Sequence, residues 1–277
     1  MKFHFYGFAI IILLLCPLKG LAQYQIAIKD ASSLVRVGMN PHPTDSADIE
    51  VAYTLMSAID HEYADSMELV RDYYLQKAKD DVLKAKAWGA LAYIVGRMID
   101  ERVGKEIVKG DILTEDLYRY FTSNACENLK DYLVLKYELN NYRPRSIKEY
   151  LQQRNFYDDM LMFNSPDRES WDLTSKIMKL MPVKKGDKLV DVGCGFGYNS
   201  FRFLDLVGSN GKVYATDTEK AYTDYFGALM KENGISNIEV INTSSNDLGV
   251  NDQVDCIFMS SLYHVFYTWS REDERSA

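Results

Sequence analysis

The sequence has few cysteines and no cluster of basic residues, and each shortage excludes a class of protein. Only four cysteines occur in 277 residues. The three beyond the N-terminal segment, Cys126, Cys194 and Cys256, are widely spaced, so they form neither a disulfide framework nor a zinc-binding pattern. The net charge is −8, and lysine and arginine are scattered, so the basic surface that nucleic acid requires is not expected. No metal site is predicted.

The N-terminal segment, residues 1–22, differs in composition from the rest of the chain. Lys2 precedes an apolar run over residues 5–15, and Gly20 and Ala22 supply small residues at a spacing typical of a cleavage site. The run is shorter than the roughly 20 apolar residues that a membrane-spanning helix needs. We therefore expect a signal peptide, similar to bacterial secretion signals, and a secreted or periplasmic protein with no stable membrane span. If the segment stays uncleaved, it anchors the chain in a membrane.

An extended linker is predicted over residues 23–43, and a helical region follows over residues 44–154. Apolar side chains recur there at three- and four-residue steps in two clear segments. They are Val51, Leu55, Ala58 and Ile59 in the first segment, and Trp88, Leu91, Val95, Met98 and Ile99 in the second. Further helical segments begin at Thr114 and Ser146, separated by Pro144, because proline cannot continue a helix. These stripes are predicted to be core, not ligand-binding surfaces.

Residues 155–277 have the pattern of an α/β domain. An amphipathic helix over residues 167–181 is followed by short apolar segments that predict strands at 188–192, 212–216, 238–241 and 254–259. Helices are predicted at 196–207 and 219–233. Alternation of strand and helix at this spacing is typical of a doubly wound, Rossmann-like parallel sheet.

The first predicted strand runs into a glycine-rich turn, Asp191-Val-Gly-Cys-Gly-Phe-Gly197. Glycines allow a sharp turn and place no Cβ between the backbone and a ligand. The helix that follows presents free N–H groups. The spacing is DxGxGxG, which differs from the GxGxxG of dinucleotide sites and disfavours NAD. Asp191 suits a ligand with a cationic end, and Asp217, at the end of the second predicted strand, can accept both hydroxyls of a ribose.

This set of residues resembles the cofactor loop of class I S-adenosylmethionine (SAM) dependent methyltransferases. The resemblance runs from about residue 164 to the end and is specific between residues 189 and 217. It implies a Rossmann-like methyltransferase sheet, SAM as cofactor, and methyl transfer to an unidentified acceptor, either a small molecule or a protein. The cofactor-binding residues that it implies are Asp191, Gly193, Cys194, Gly195, Gly197, Asp217, Ser244 and Ser245.

Two segments depart from the family's pattern. Ser244 or Ser245 stands where the family often has an acid near the adenine, and Asp247 either substitutes for that acid or caps a turn. After the fourth predicted strand, Tyr263 and His264 lie in a segment similar to one that lines the substrate pocket in some members. His264 is the candidate base, and the alternative is that this segment simply begins a helix that packs on the sheet. Methyl transfer from a sulfonium needs little acid–base help, because orientation can supply most of the catalysis.

Two hypotheses about function remain open. Residues 189–277 supply only about four strands, fewer than the family's full sheet, so we expect a truncated methyltransferase domain. Residues 167–171 look like the lid helix of some members, which implies contact with the amino-acid end of the cofactor. The first hypothesis is therefore a SAM-dependent methyltransferase. The second is a non-catalytic binding protein with a functional helical region and an inactive SAM-binding domain, which the signal peptide favours because SAM is a cytoplasmic cofactor.

Overall fold

The computed structural model describes residues 46–61, 63–80, 85–139, 147–244, 247–260 and 262. Within these residues the chain forms two compact units, which divide between Ser175 and Lys176. The first unit is helical, and the second contains the parallel sheet. The predicted signal peptide and linker lie outside the described residues.

The helical unit is built on the apolar stripes that the sequence predicts. Its helices are α1 (Ser46–His61), α2 (Ala64–Asp80), α3 (Ala85–Arg102), α4 (Ile112–Tyr137), α5 (Ile147–Phe163) and α6 (Glu169–Asp172), and α7 (Thr174–Leu180) crosses into the second unit. These helices confirm the helical character predicted for this region, and Leu55, Leu91 and Val95 of the stripes are completely buried. Helix α5 packs on α3 and α4. The helical unit therefore extends beyond residue 154, where the sequence predicted that it would end.

Helix α4 differs from its prediction at its start and near its middle. It begins at Ile112, not at Thr114, because the carboxylate of Asp111 caps it and accepts a hydrogen bond from the Thr114 amide at 2.8 Å. Asn124, Ala125 and Cys126 then adopt left-handed backbone angles, with φ of 51°, 54° and 61°. Three consecutive non-glycine residues with left-handed backbone angles break the helix, and this conformation costs them energy.

A buried ion pair joins α4 to α5 inside the helical unit. The Lys136 ammonium donates to both oxygens of the Asp158 carboxylate, at 2.7 and 2.8 Å, and the Tyr132 hydroxyl donates to Asp158 at 3.0 Å. Burial lowers the pKa of Lys136, and the nearby Asp158 charge opposes that shift. Neighbouring rings form a stack in which Trp88 lies between Tyr74 and Tyr137, with centroids at 5.4 and 6.5 Å.

The helix predicted over residues 167–181 is two short helices in the structure. Helix α6 ends at Asp172, Leu173 caps it with a φ of 54°, and α7 begins at the next residue. At this break, side chains form hydrogen bonds with a backbone amide and with one another. The Glu169 carboxylate accepts from the Ser175 amide at 3.0 Å, and the Thr174 hydroxyl donates to Asp172 at 3.0 Å. Such local side-chain hydrogen bonds compete with helix continuation.

The second unit contains a parallel sheet in the order β3-β2-β1-β4. Its elements are β1 (Lys188–Val192), α8 (Tyr198–Val207), β2 (Lys212–Asp217), α9 (Lys220–Glu232), β3 (Ile238–Asn242) and β4 (Cys256–Met259). The predicted Rossmann-like order of strands and helices is confirmed. Because β2 and β4 flank β1 on opposite sides, the chain reverses direction across the sheet at β1. Ligands of open α/β sheets bind at such a switch point, outside the carboxyl ends of the strands.

Both faces of the sheet are apolar. Helices α8 and α9 pack on one face, where the rings of Phe203 and Phe258 meet edge to face at 4.9 Å. The other face is formed by Val190, Val192 and Tyr214, with partly buried apolar residues of the segments around β3 and β4 packed against them. Near-continuous apolar strands are typical of a parallel sheet that is covered on both sides.

Several features are absent from the part of the chain that the structure describes. In those ranges no helix is both long and apolar enough to cross a membrane, and no group of His, Cys, Asp and Glu side chains is arranged to hold a metal ion. The described cysteines, Cys126, Cys194 and Cys256, are buried free thiols. Cys194 follows β1 whereas Cys256 begins β4, which puts them at opposite ends of the parallel sheet.

Candidate functional site

The glycine loop, residues 193–197, connects β1 to α8 at the switch point and is fixed by backbone hydrogen bonds. The amides of Gly193 and Cys194 both donate to the carbonyl of Thr216 in β2, at 2.8 and 3.0 Å. The Gly197 amide donates back to the Cys194 carbonyl at 2.8 Å, which closes the turn. The loop is thereby attached to the neighbouring strand at the carboxyl end of the sheet.

The three glycines of the loop have positive φ but different surroundings. A Cβ on Gly193 would overlap the Leu262 side chain, and a Cβ on Gly197 would overlap the ring of Phe226. These two glycines therefore allow close packing within the domain. At Gly195, with φ of 53°, a Cβ would meet no atom of the described residues within 4 Å. Gly195 consequently leaves an open backbone surface at the end of β1, where a ligand can approach closely.

Asp217, the last residue of β2, is bonded directly to the loop. One carboxylate oxygen, Oδ2, accepts from the Gly195 amide at 2.8 Å, and the other, Oδ1, accepts from the Glu219 amide at 2.9 Å. The Asn242 side chain and the Thr243 amide donate to the Asp217 carbonyl at 3.1 and 2.9 Å. The structure therefore brings Asp217, at the end of β2, to the loop, and hydrogen bonds from Gly195, Glu219, Asn242 and Thr243 hold it there.

Asp191 lies under the loop on β1 and is only 2% exposed. Its carboxylate oxygen Oδ2 accepts a hydrogen bond from the Ser200 hydroxyl at 2.5 Å, and Ser200 is completely buried in the first turn of α8. Ser200 is not among the residues predicted from the sequence. The sequence offers one weak indication of its role: Ser200 stands in the first turn of the helix after the loop, where a side chain can reach back to β1.

The pKa of the Cys194 thiol is shifted by its surroundings in the loop. Burial raises the pKa of its thiol well above the usual value, and the negative charges of Asp191 and Asp217 raise it further. The thiol is therefore neutral at physiological pH and is a poor nucleophile. Asp217 is hydrogen-bonded to the loop at Gly195 and Asp191 to Ser200 just after it, so the two carboxylates give the loop a negative potential.

Phe196, which was not predicted as a site residue, anchors the loop through aromatic contacts. Its ring, 1% exposed, packs on Tyr222 with centroids at 4.6 Å and meets Tyr225 edge to face at 5.7 Å. Both tyrosines belong to α9. The side chain between the second and third glycines thus fixes the loop to the helix that follows β2.

The remaining predicted site residues are only partly described. Ser244 is exposed just after β3, next to the segment that holds Asp217, and forms an isolated bridge with Asp247. The Asp247 carboxylate accepts from the Gly249 amide at 2.8 Å, so it caps a turn. Ser245, Tyr263 and His264 lie outside the described residues.

The segment predicted as a lid, residues 167–171, belongs to the helical unit and makes its described contacts there. The Arg168 guanidinium donates to the Asp172 carboxylate at 3.1 Å and to the Phe163 carbonyl at 2.8 Å. A Cβ on Gly89 of α3 would lie 2.5 Å from an oxygen of Asp167, so that carboxylate packs against the α3 backbone. Contact of this segment with a cofactor stays a prediction.

Comparison with known proteins identifies relatives of the same class. Residues 145–262 match the model of the ubiE/COQ5 methyltransferase family. A protein-L-isoaspartate O-methyltransferase of Methanosarcina mazei is 25% identical over 142 residues, covering 47% of this chain and 58% of the relative. A demethylmenaquinone methyltransferase of Bacillus pumilus is 31% identical over 97 residues, covering 35% and 41%. A solved SAM-dependent methyltransferase of Aquifex aeolicus is 32% identical, with a TM-score of 0.34, covering 36% of this chain and 54% of that one.

The chain spans between two fifths and three fifths of the length of these two curated relatives. The matched region contains the sheet, the glycine loop and Asp217. The family match, the strand order and the loop agree with one another, and together they support a class I SAM-dependent methyltransferase domain in the matched part of the chain.

Proposed function

We propose that this chain binds SAM at the glycine loop and transfers its methyl group to an acceptor. The observation that carries the proposal is the hydrogen bond between the Asp217 carboxylate and the Gly195 amide, because it fixes an acid at the loop and at the carboxyl end of β2. An acid at this position can accept ribose hydroxyls. The relatives named as methyltransferases support the same activity.

The charge of the site favours SAM over a dinucleotide. The carboxylates of Asp191 and Asp217 both lie near Cys194, in a loop where burial strengthens electrostatic interactions. SAM carries a sulfonium and an ammonium cation, whereas a dinucleotide brings a negatively charged pyrophosphate. The two carboxylates attract the cations and repel the pyrophosphate. The charge of the site therefore supports SAM over a dinucleotide, in agreement with the glycine spacing.

The residues present fit SAM. Open space over Gly195 leaves room for a ligand against the loop, and Asp217 keeps acceptor capacity on both oxygens beyond its two backbone hydrogen bonds. When bound, SAM supplies a methyl group on an already activated sulfonium leaving group. The chain's part is to hold the ribose through Asp217, to place a negative charge near the methionyl end through Asp191, and to orient the reactants.

The acceptor is a small molecule or a protein. One relative is named for a protein residue, isoaspartate, and another for a quinone precursor, demethylmenaquinone. We propose that Tyr263 and His264, which follow β4 in the chain, line the acceptor side, with His264 as a base. His264→Ala should then leave the Kd for SAM unchanged and slow methyl transfer, and weaker SAM binding would place His264 on the cofactor side instead.

We propose further that residues 1–22 are a bacterial signal peptide and that the mature protein is secreted or periplasmic. The support is the order of Lys2, the apolar run and the small residues at Gly20 and Ala22. Expression in a bacterial host, fractionation and N-terminal sequencing test this. A mature N-terminus at Gln23 in the periplasm or medium is expected, and an intact Met1 in the cytoplasm would contradict it.

Calorimetric titration of the full chain with SAM, S-adenosylhomocysteine and NAD⁺ tests the proposed cofactor. We expect saturable binding of SAM and S-adenosylhomocysteine and none of NAD⁺. SAM should bind more tightly than S-adenosylhomocysteine, because only SAM carries the sulfonium charge that the two carboxylates attract. Absence of heat at millimolar SAM, or tighter binding of NAD⁺, would contradict the proposal.

A further inference from the structure

The Ser200 hydroxyl and the Asp191 carboxylate form a buried contact between α8 and β1. The donor Oγ and the acceptor Oδ2 are 2.5 Å apart, and the two side chains are 0% and 2% exposed. A short O–H···O⁻ hydrogen bond of this kind is about twice as strong as one between neutral groups. The contact spans the glycine loop, since Asp191 precedes the loop and Ser200 follows it.

This contact differs from the usual behaviour of a serine in a helix. Such hydroxyls commonly bond to a backbone carbonyl of the preceding turn, as Thr223 does in α9, where its hydroxyl donates to the Lys220 carbonyl at 3.0 Å. Ser200 instead donates to a charged side chain on the central strand. A hydrogen bond to one carboxylate oxygen restricts rotation of the carboxylate about its Cβ–Cγ bond. The Thr216 hydroxyl on β2 donates to the Asp191 backbone carbonyl at 3.4 Å, whereas the Ser200 hydroxyl donates to the Asp191 carboxylate.

We propose that Ser200 is a positioning residue that fixes the orientation of the Asp191 carboxylate for binding the cationic end of SAM. The inference rests on the proposed function, because it assigns Asp191 to that ligand. Ser200 acts through Asp191 and does not itself contact the ligand. Pre-organisation of a carboxylate before binding increases affinity, since the bound ligand does not have to order it.

The test measures the Kd for SAM by calorimetry and the thermal unfolding midpoint of the full chain. Ser200→Ala should weaken SAM binding by about tenfold, because a misdirected binding group loses affinity steeply. Thr223→Ala is the matched control: it removes a buried hydroxyl from the neighbouring helix without a bond to Asp191. The control should lower the unfolding midpoint without changing the Kd. Equal Kd values for wild type and Ser200→Ala would overturn the proposal.

A double-mutant cycle with Asp191→Asn separates positioning from a purely structural role. If Ser200 acts through the carboxylate, Ser200→Ala should weaken SAM binding in the wild-type background and have little further effect beside Asp191→Asn. The same loss in both backgrounds would overturn the proposal. Should Ser200→Ala not fold, Ser200→Cys, a weaker donor of similar size, must also weaken SAM binding, and wild-type affinity would count against the role. A wild type that binds no SAM contradicts the proposed function, whereas a wild type that binds with an unaffected Ser200→Ala contradicts only the positioning role.

Discussion

The carboxylate of Asp217 accepts a hydrogen bond from the amide of Gly195 at 2.8 Å, which joins the end of β2 to the turn after β1. Its second oxygen accepts from the Glu219 amide at the start of α9. A carboxylate has about four lone-pair positions, so these two bonds leave acceptor capacity on both oxygens. The geometry of the site is thus established by the protein's own backbone before a ligand binds.

Gly195→Ala should weaken SAM binding by about tenfold, or about 1.4 kcal/mol. The added methyl group would occupy the open surface over the loop, where no atom of the described part of the chain lies within 4 Å. Gly234→Ala is the control, because Gly234 has a similar φ of 66°, also has open space, and ends α9 away from the loop. Both variants should lose about 1–2 kcal/mol of stability from the left-handed backbone. Only Gly195→Ala should change the Kd, and equal Kd values in the two variants would refute a ligand surface at Gly195.

Ala125→Gly should stabilise the protein by about 1 kcal/mol, because Ala125 has a φ of 54° in the break of α4 and glycine adopts that conformation without a steric penalty. Ala228→Gly provides the contrast: Ala228 is also exposed but lies in the regular part of α9. There the same substitution should destabilise by about 1 kcal/mol. Urea unfolding measures both changes, and a loss of stability in Ala125→Gly would show that this turn is not left-handed in solution.

Tyr74→Phe should leave the free energy of unfolding unchanged or raise it. Within the described part of the chain, the buried Tyr74 hydroxyl has no hydrogen-bond partner, so its removal relieves a desolvation cost. Tyr132→Phe should instead destabilise by about 1.5–3 kcal/mol, because the Tyr132 hydroxyl donates to the buried Asp158 carboxylate. Chemical denaturation of the two variants distinguishes these roles, and an equal loss in both would mean that Tyr74 has a partner in solution.

The fold of the second unit could be predicted because local and global signals agree. Each strand of the sheet is a short apolar run, and the glycine turn separates β1 from α8. The predicted strand over residues 254–259 begins at Cys256 in the structure, since strand boundaries depend on which residues find a partner in the sheet. The helices of the first unit could likewise be predicted from apolar side chains that recur at helical spacing.

Features that depend on contacts between distant residues could not be predicted. The break at Ala125 follows no proline or glycine, and the break at Leu173 arises from side-chain hydrogen bonds on either side of it. In the site, the loop glycines could be predicted because they belong to one motif, and Asp217 could be predicted because it ends an apolar strand. Ser200 could not, because its partner is on another element and only the packing of α8 on β1 brings them together.

The Kd for SAM of Asp217→Ala, compared with Asp205→Ala, tests the central claim most directly. Asp205 is an exposed carboxylate on α8, so its replacement changes the net charge by the same amount away from the loop. The account predicts that Asp217→Ala weakens SAM binding by about 1–3 kcal/mol, as loss of a charged hydrogen-bond partner does, while Asp205→Ala binds as wild type. Wild-type affinity in Asp217→Ala would contradict it.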